Sequence, residues 1–203
     1  MGGRGSRSGA KVKMFGAKPG KADNTSVNFD YISSSNYEDI FRTHYSDNNL
    51  SDSVLRASRQ ILKNRDGTKY EELYAIDSRN GKVLTYIKGK TENGIEKTVK
   101  LEKLLTNSPS SSIIIIHNHP NSSTFSRRDV STALSYSSIS ETVAVGHNGK
   151  VFFISGVYGH NNVIRDYSIA YTKHVRDKMT DFEARNRAWE DVSKQLGFLY
   201  ERR

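Results

Sequence analysis

Cysteine is absent from all 203 residues. That absence removes a disulfide framework, a thiol nucleophile and any cysteine-rich structural zinc site from consideration. Proline is nearly absent too, with only Pro19, Pro109 and Pro120, so each one marks a definite interruption of regular structure. No apolar run approaches the roughly 18 residues a membrane-crossing helix requires. The opening residues hold no apolar segment suited to a signal peptide, so the expected location is cytoplasmic, with no membrane partner.

Acidic residues are missing from residues 1–22, where Arg4, Arg7, Lys11, Lys13, Lys18 and Lys21 supply +6 of the formal net charge of +9. Glycine and serine are frequent there and apolar residues scarce, so this tail is expected to be disordered. It could touch phosphate loosely, which makes a nucleic-acid contact possible but not favoured. The remainder is nearly balanced in charge and offers no basic platform.

What the chain does contain is concentrated in His117-Asn118-His119-Pro120 and Ser126-Arg127-Arg128-Asp129. The preceding Ile113-Ile114-Ile115-Ile116 is β-branched throughout and predicts a buried strand. Alternation along that strand gives His117 and His119 the same face, from which two imidazoles can converge on one cation. Pro120 has no N–H and ends the pairing. Ser126 has the character of a helix N-cap, with Val130, Ala133 and Leu134 beginning an apolar face and Asp129 in the first turn, where its carboxylate can turn back toward the histidines. Three nitrogen and oxygen ligands with an open fourth position suit a catalytic zinc, one per chain. The bland alternatives are a histidine that is merely a satisfied polar residue and a Ser-x-x-Asp that is merely a helix cap.

His-x-His-Pro followed by Ser-x-x-Asp resembles the JAMM/MPN metallopeptidase superfamily, and His-Asn-His-Pro is most like its RadC-like and phage-associated branches. The similarity extends upstream to Glu71-Glu72-Leu73-Tyr74-Ala75-Ile76-Asp77-Ser78-Arg79-Asn80-Gly81-Lys82-Val83-Leu84, which looks like the opening hairpin of those domains, a glutamate before a strand ending in Asp, a turn and a second strand. Nine residues, Pro120 to Arg128, separate the second histidine from the aspartate. The family's commonest pattern has one residue more; the difference falls in the polar loop 121–124, and Phe125-Ser126 is like the phage-type members with a shorter loop. The resemblance implies His117, His119 and Asp129 as ligands of Zn²⁺ and a glutamate as general base. It also implies that the Ser126 hydroxyl donates to the oxyanion during amide hydrolysis. Glu71 is the preferred base because its offset from Asp77 matches the resemblance; Glu72 is the alternative, and in a strand only one of the two can face the metal.

A second, weaker resemblance lies in Met1-Gly2-Gly3-Arg4-Gly5-Ser6-Arg7-Ser8-Gly9, which is similar to the starts of phage head-associated proteins. The implied partners are a protein or peptide substrate and a phage structural or host protein.

Elsewhere, residues 36–45 and 51–64 predict helices, the latter capped by Ser51 or Ser53, and Asp66-Gly67 a turn. Residues 83–88 predict a return strand, and 98–105 a short strand and helix. Residues 126–137 predict a helix, and 142–146 and 151–155 two strands. His147-Asn148-Gly149-Lys150 between those strands suits a type I′ hairpin, with His147 exposed beside the turn. Residues 163–196 read as helical, with Trp189 as a core anchor, and His160 and His174 fall outside the site. The expected architecture is an α/β domain with a mixed sheet and flanking helices, of JAMM/MPN, cytidine-deaminase-like type. It divides into a tail (1–22), an N-terminal helical segment (23–66), a metallopeptidase core (67–158) and a C-terminal helical extension (159–203). The expected function is a zinc-dependent peptidase or isopeptidase encoded by a phage or mobile element; the rivals are a non-catalytic scaffold of the same fold in phage assembly and a RadC-like DNA-associated module.

Overall fold

The computed structural model describes residues 25–92 and 94–203. The basic tail, and with it the possible nucleic-acid contact, lies outside the described residues.

Four β-branched isoleucines in succession can form a strand buried on both faces, and they do: β3 (Ile113–His119) is buried along its whole length. Around it stands a six-stranded mixed sheet in the order β2-β1-β3-β4-β5-β6, built with β1 (Glu72–Asp77), β2 (Val83–Lys88), β4 (Ile139–Gly146), β5 (Val151–Ser155) and β6 (Leu199–Arg202). Every neighbouring pair is antiparallel except β3 with β4. A parallel pair needs a crossover connection, and α5 (Arg127–Ser135) supplies it between those two strands.

Alternation sorts the central strands between two cores. Ile113, Ile115, Ala144, Phe152 and Ile154 pack with α4 (Val99–Asn107), α5, α6 (Val163–Arg176) and α7 (Asp181–Leu196). Ile114, Ile116, Val143, Val145 and Phe153 pack on the opposite side with α1 (Phe29–Ile32), α2 (Ser35–His44) and α3 (Asn48–Arg65). Each fully buried Ile or Phe contributes roughly 1.5–3 kcal/mol, so both faces bind their helices strongly. The N-terminal helices therefore cover one face of the sheet. No described helix is long and apolar enough to cross a membrane.

Several local expectations are revised. Helix α3 starts earlier than Ser51 or Ser53 because the Asp47 carboxylate accepts the Leu50 N–H at 2.8 Å. Thr98 caps α4 directly, so residues 98–105 begin with the helix and hold no strand. The stretch 163–196 is two helices, broken where Lys178 takes a positive φ of 62° and Thr180 caps α7. The C-terminal region, read as helical, ends in edge strand β6. Gly197 terminates α7 in the left-handed region at φ 81°, and Leu199 to Arg202 then pair with β5.

The hairpin before β5 also departs from type I′. Among the described residues Gly149 has positive φ (91°) but Asn148 does not. The Gly149 N–H donates to the Gly146 carbonyl, and Asn148 Oδ1 accepts the Lys150 N–H at 3.0 Å, so a wider turn with a glycine bulge forms instead. His147 is buried at 1% exposure rather than exposed, because its ring is bonded at both nitrogens.

Candidate metal centre

The C-terminal end of β3 and the N-terminus of α5 meet over the α4–α7 face of the sheet. His117 and His119 leave the strand on that face, the same one used by Ile113 and Ile115. Their Nε2 atoms are 2.9 Å apart. The chain then reverses through a turn in which the Ser122 N–H donates to the His119 carbonyl at 2.9 Å, with Pro120 after the histidine fixing φ. Ser122 itself sits at φ 56°. Gly146, paired with His119 in the parallel ladder, leaves room for this loop: a Cβ there would lie 2.8 Å from the Ser122 Cβ.

Ser126 caps α5, and the cap orients Asp129. The Asp129 N–H donates to Ser126 Oγ at 3.3 Å while the Ser126 N–H donates to Asp129 Oδ2 at 2.7 Å, a reciprocal capping box. So held, the carboxylate presents Oδ1 to His117 Nε2 at 3.6 Å and Oδ2 to His119 Nε2 at 3.5 Å. One ligand atom from each of the three residues lies within 4.8 Å of the others, a grouping able to hold a metal ion. Ligands at about 2.0–2.1 Å from a tetrahedral zinc stand roughly 3.3 Å apart, so these separations fit one cation.

The His119 tautomer fits as well. His119 Nδ1 donates to the Ser123 carbonyl at 2.9 Å, which leaves the Nε2 lone pair directed at the cluster. His117 Nδ1 is buried with no hydrogen-bond partner among the described residues. Two imidazole nitrogens at hydrogen-bonding distance beside a carboxylate need a proton or a cation among them. In electrostatic terms, burial works to lower the His119 pKa, but the hydrogen bond and charge of Asp129, helped by the charge of Glu71, overcome it and hold it at about 9. Burial likewise works to raise Asp129, but the two histidines hold its carboxyl well below the usual carboxylate range.

The adjacent glutamates part company. Glu72 shares the α1–α3 side of β1 with Tyr74 and Ile76; it is fully buried, accepts from Asn64 Nδ2 at 2.9 Å and pairs with Arg65 Nε at 3.3 Å. Alternation puts Glu71, just before the strand, on the other side, the one used by Leu73 and Ala75. Leu73 is the antiparallel partner of His117 and the last pair of that ladder; alternation one step beyond it puts Glu71 on the histidine side, where its charge acts on the His119 imidazole. A Cβ built on Gly94 would lie 3.7 Å from Glu71 Oε2 and 3.9 Å from Arg128 Nη1, so the Gly94 backbone closes one side of the space beside Glu71.

Supports the sequence reading did not foresee come from distant elements. Trp189 on α7 is in the core as expected, but its indole also donates to the Phe125 carbonyl, next to Ser126. The Tyr200 hydroxyl of β6 donates to Asn186 Oδ1 at 2.7 Å and accepts from Thr124 Oγ1 at 2.8 Å. Asn118, between the two histidines, is fully buried on the opposite face. Alternation along β3 sets that orientation, though nothing local names its partners. His160 and His174 lie outside the cluster, His174 bonding to Asp191.

Comparison with protein-family models, with curated proteins and with solved structures gave no match to this chain.

Proposed function

We propose that this chain is a zinc-dependent peptidase or isopeptidase of JAMM/MPN type. The observation that carries the proposal is the convergence of His117 Nε2, His119 Nε2 and the Asp129 carboxylate, with the charge of Glu71 acting on His119. A zinc ion held by the triad would supply Lewis acidity and a bound water acidified toward neutrality.

The chain's own groups would do the rest. Glu71 would accept a proton from that water and would later return it to the leaving amine. Ser126 Oγ already accepts the Asp129 N–H, so its hydroxyl hydrogen is available to donate to a carbonyl oxygen that gains negative charge. The capping box keeps Asp129 aimed at the histidines, so the ligand set needs little rearrangement on loading. A substrate chain is best accommodated along β2, the sheet edge on the Glu71 side. The substrate class is a protein or peptide amide, from a viral structural protein or a host protein.

Metal content of the purified chain, with and without His119→Ala, tests the proposal. One zinc per chain in the parent and none in the variant supports it; no zinc in either overturns it. Glu71→Gln should then keep zinc and lower cleavage of a fluorogenic peptide library to a small but measurable residual rate. If Glu72→Gln keeps zinc and abolishes cleavage instead, the base assignment is wrong.

A further inference from the structure

Asn118 sits between the two histidines in sequence and turns its side chain away from both. Its amide makes three hydrogen bonds on the far face of the sheet. Oδ1 accepts the Glu72 N–H at 2.7 Å, while Nδ2 donates to the Tyr70 carbonyl at 3.2 Å and to His147 Nε2 at 3.1 Å. The Tyr70 carbonyl and the Glu72 N–H are the backbone groups immediately before and after Glu71. They are what a neighbouring strand would engage if the β1–β3 ladder ran one step further.

The ladder cannot run further. Its last register pair is Leu73 with His117, and beyond His119 the chain holds Pro120 and turns back through Ser122. Without another partner, the backbone around Glu71 would be paired on the β2 side only, where Glu72 faces Lys88 and the Gly89 N–H donates to the Glu71 carbonyl at 2.8 Å. An asparagine amide has the donor and acceptor spacing of a peptide group, so Asn118 can replace the missing backbone.

We propose that Asn118 and His147 are positioning residues that bracket the Glu71 backbone and fix the candidate base on the histidine side. His147 sets the amide's orientation. Its Nδ1 donates to the Thr25 carbonyl at 2.5 Å, which leaves Nε2 as an acceptor and requires the Asn118 NH₂ to face it. Oδ1 is then turned to the Glu72 N–H. All three amide bonds agree on one orientation, and both side chains are buried, at 0% and 1% exposure. The bracket therefore runs from Thr25 through two side chains to the residues on either side of Glu71. Its catalytic meaning rests on the peptidase reading above; its structural content does not.

The test uses the full chain, zinc-loaded, with amide hydrogen exchange, zinc content and turnover of the library peptide that the parent cleaves fastest. In Asn118→Ala the Glu72 amide should exchange about tenfold faster, as loss of one modest hydrogen bond allows, while zinc stays at one per chain. Turnover should fall on the order of a hundredfold in kcat with KM little changed, since displacing a catalytic group costs that much. No further loss should appear when Asn118→Ala is added to Glu71→Gln. His147→Gln, which restores an acceptor to the Asn118 amide, should keep activity; His147→Leu should lose it. The His147 pair also serves if Asn118→Ala does not fold.

Unchanged Glu72 exchange in Asn118→Ala, or losses that add to those of Glu71→Gln, would overturn the bracket. A zinc-loaded parent that cleaves nothing would remove the peptidase reading instead, and Glu72 exchange would still decide whether the bracket exists.

Discussion

Trp189 donates its indole N–H to the carbonyl of Phe125 at 3.1 Å, across 64 residues of sequence. The bond ties the middle of α7 to the residue before the helix cap that orients Asp129. The indole also stacks on Tyr167, with ring centroids 3.9 Å apart, so its position is set on both sides.

Trp189→Phe should keep most of the packing and strand the Phe125 carbonyl. An unsatisfied buried acceptor costs roughly 1–3 kcal/mol, and the cost here falls on the loop bearing Ser126. The expected outcome is a lower denaturant midpoint together with weaker zinc binding, both read by titration. An unchanged zinc affinity would show that the loop does not depend on α7.

Gly146→Ala tests the opposite wall of the same loop. The added Cβ would sit 2.8 Å from Ser122 Cβ and 2.9 Å from Asn148 Oδ1, closer than side-chain atoms approach. Overpacking of this kind costs about 1–3 kcal/mol. Because the collision pushes on the turn after His119, zinc affinity should fall along with the melting temperature.

Glu71 and Glu72, adjacent in sequence, should behave oppositely when changed to glutamine. Glu72→Gln leaves Arg65 (9% exposed) without its anion, and breaking a buried pair from one side costs about 3 kcal/mol. Glu71→Gln should change stability by less than about 0.5 kcal/mol, as expected of a group outside the packed core. Urea denaturation of the two variants separates the structural glutamate from the catalytic candidate, and equal losses would contradict the assignment.

His44 gives stability a pH dependence away from the metal centre. Burial works against its charge, but Glu141 at 2.8 Å and Glu201 at 2.9 Å outweigh that and raise its pKa above the ordinary 6.5. A folded-state pKa above the unfolded value means the stabilisation is complete below the unfolded pKa and lost as pH rises through the folded one. The stability difference between the parent and His44→Phe should therefore shrink as pH is raised from about 5.5 to about 9, measured by urea midpoints. A difference that is constant or grows with pH would refute the linkage.

Much of the site was legible in the sequence because its signals are local. Strand alternation puts His117 and His119 on one face, and Ser126 three residues before Asp129 is a helix-cap pattern whose geometry aims the carboxylate. The choice between Glu71 and Glu72 was less legible, since strand pairing rather than spacing decides which faces the histidines. The supports of the loop were not legible at all. Thr124 meets Tyr200, Phe125 meets Trp189 and Asn118 meets His147, pairings that exist only after distant elements have packed. Strand β6 was hidden for a related reason: Leu199-Tyr200-Glu201-Arg202 is short and half charged, and it becomes a strand because β5 offers a free edge. His147 looked like an exposed turn residue because its partners, Thr25 and Asn118, lie far away in the chain.

The Tyr200 bond to Thr124 also orders events in time. During synthesis the complete ligand triad exists once residue 129 has been made, well before Trp189 and Tyr200 have emerged. A nascent chain at that stage carries two histidines and an aspartate on a loop that nothing yet clamps. The Tyr200 restraint requires β6 to be made and paired with β5, so a ribosome-stalled chain ending before Tyr200 would present these three side chains without it.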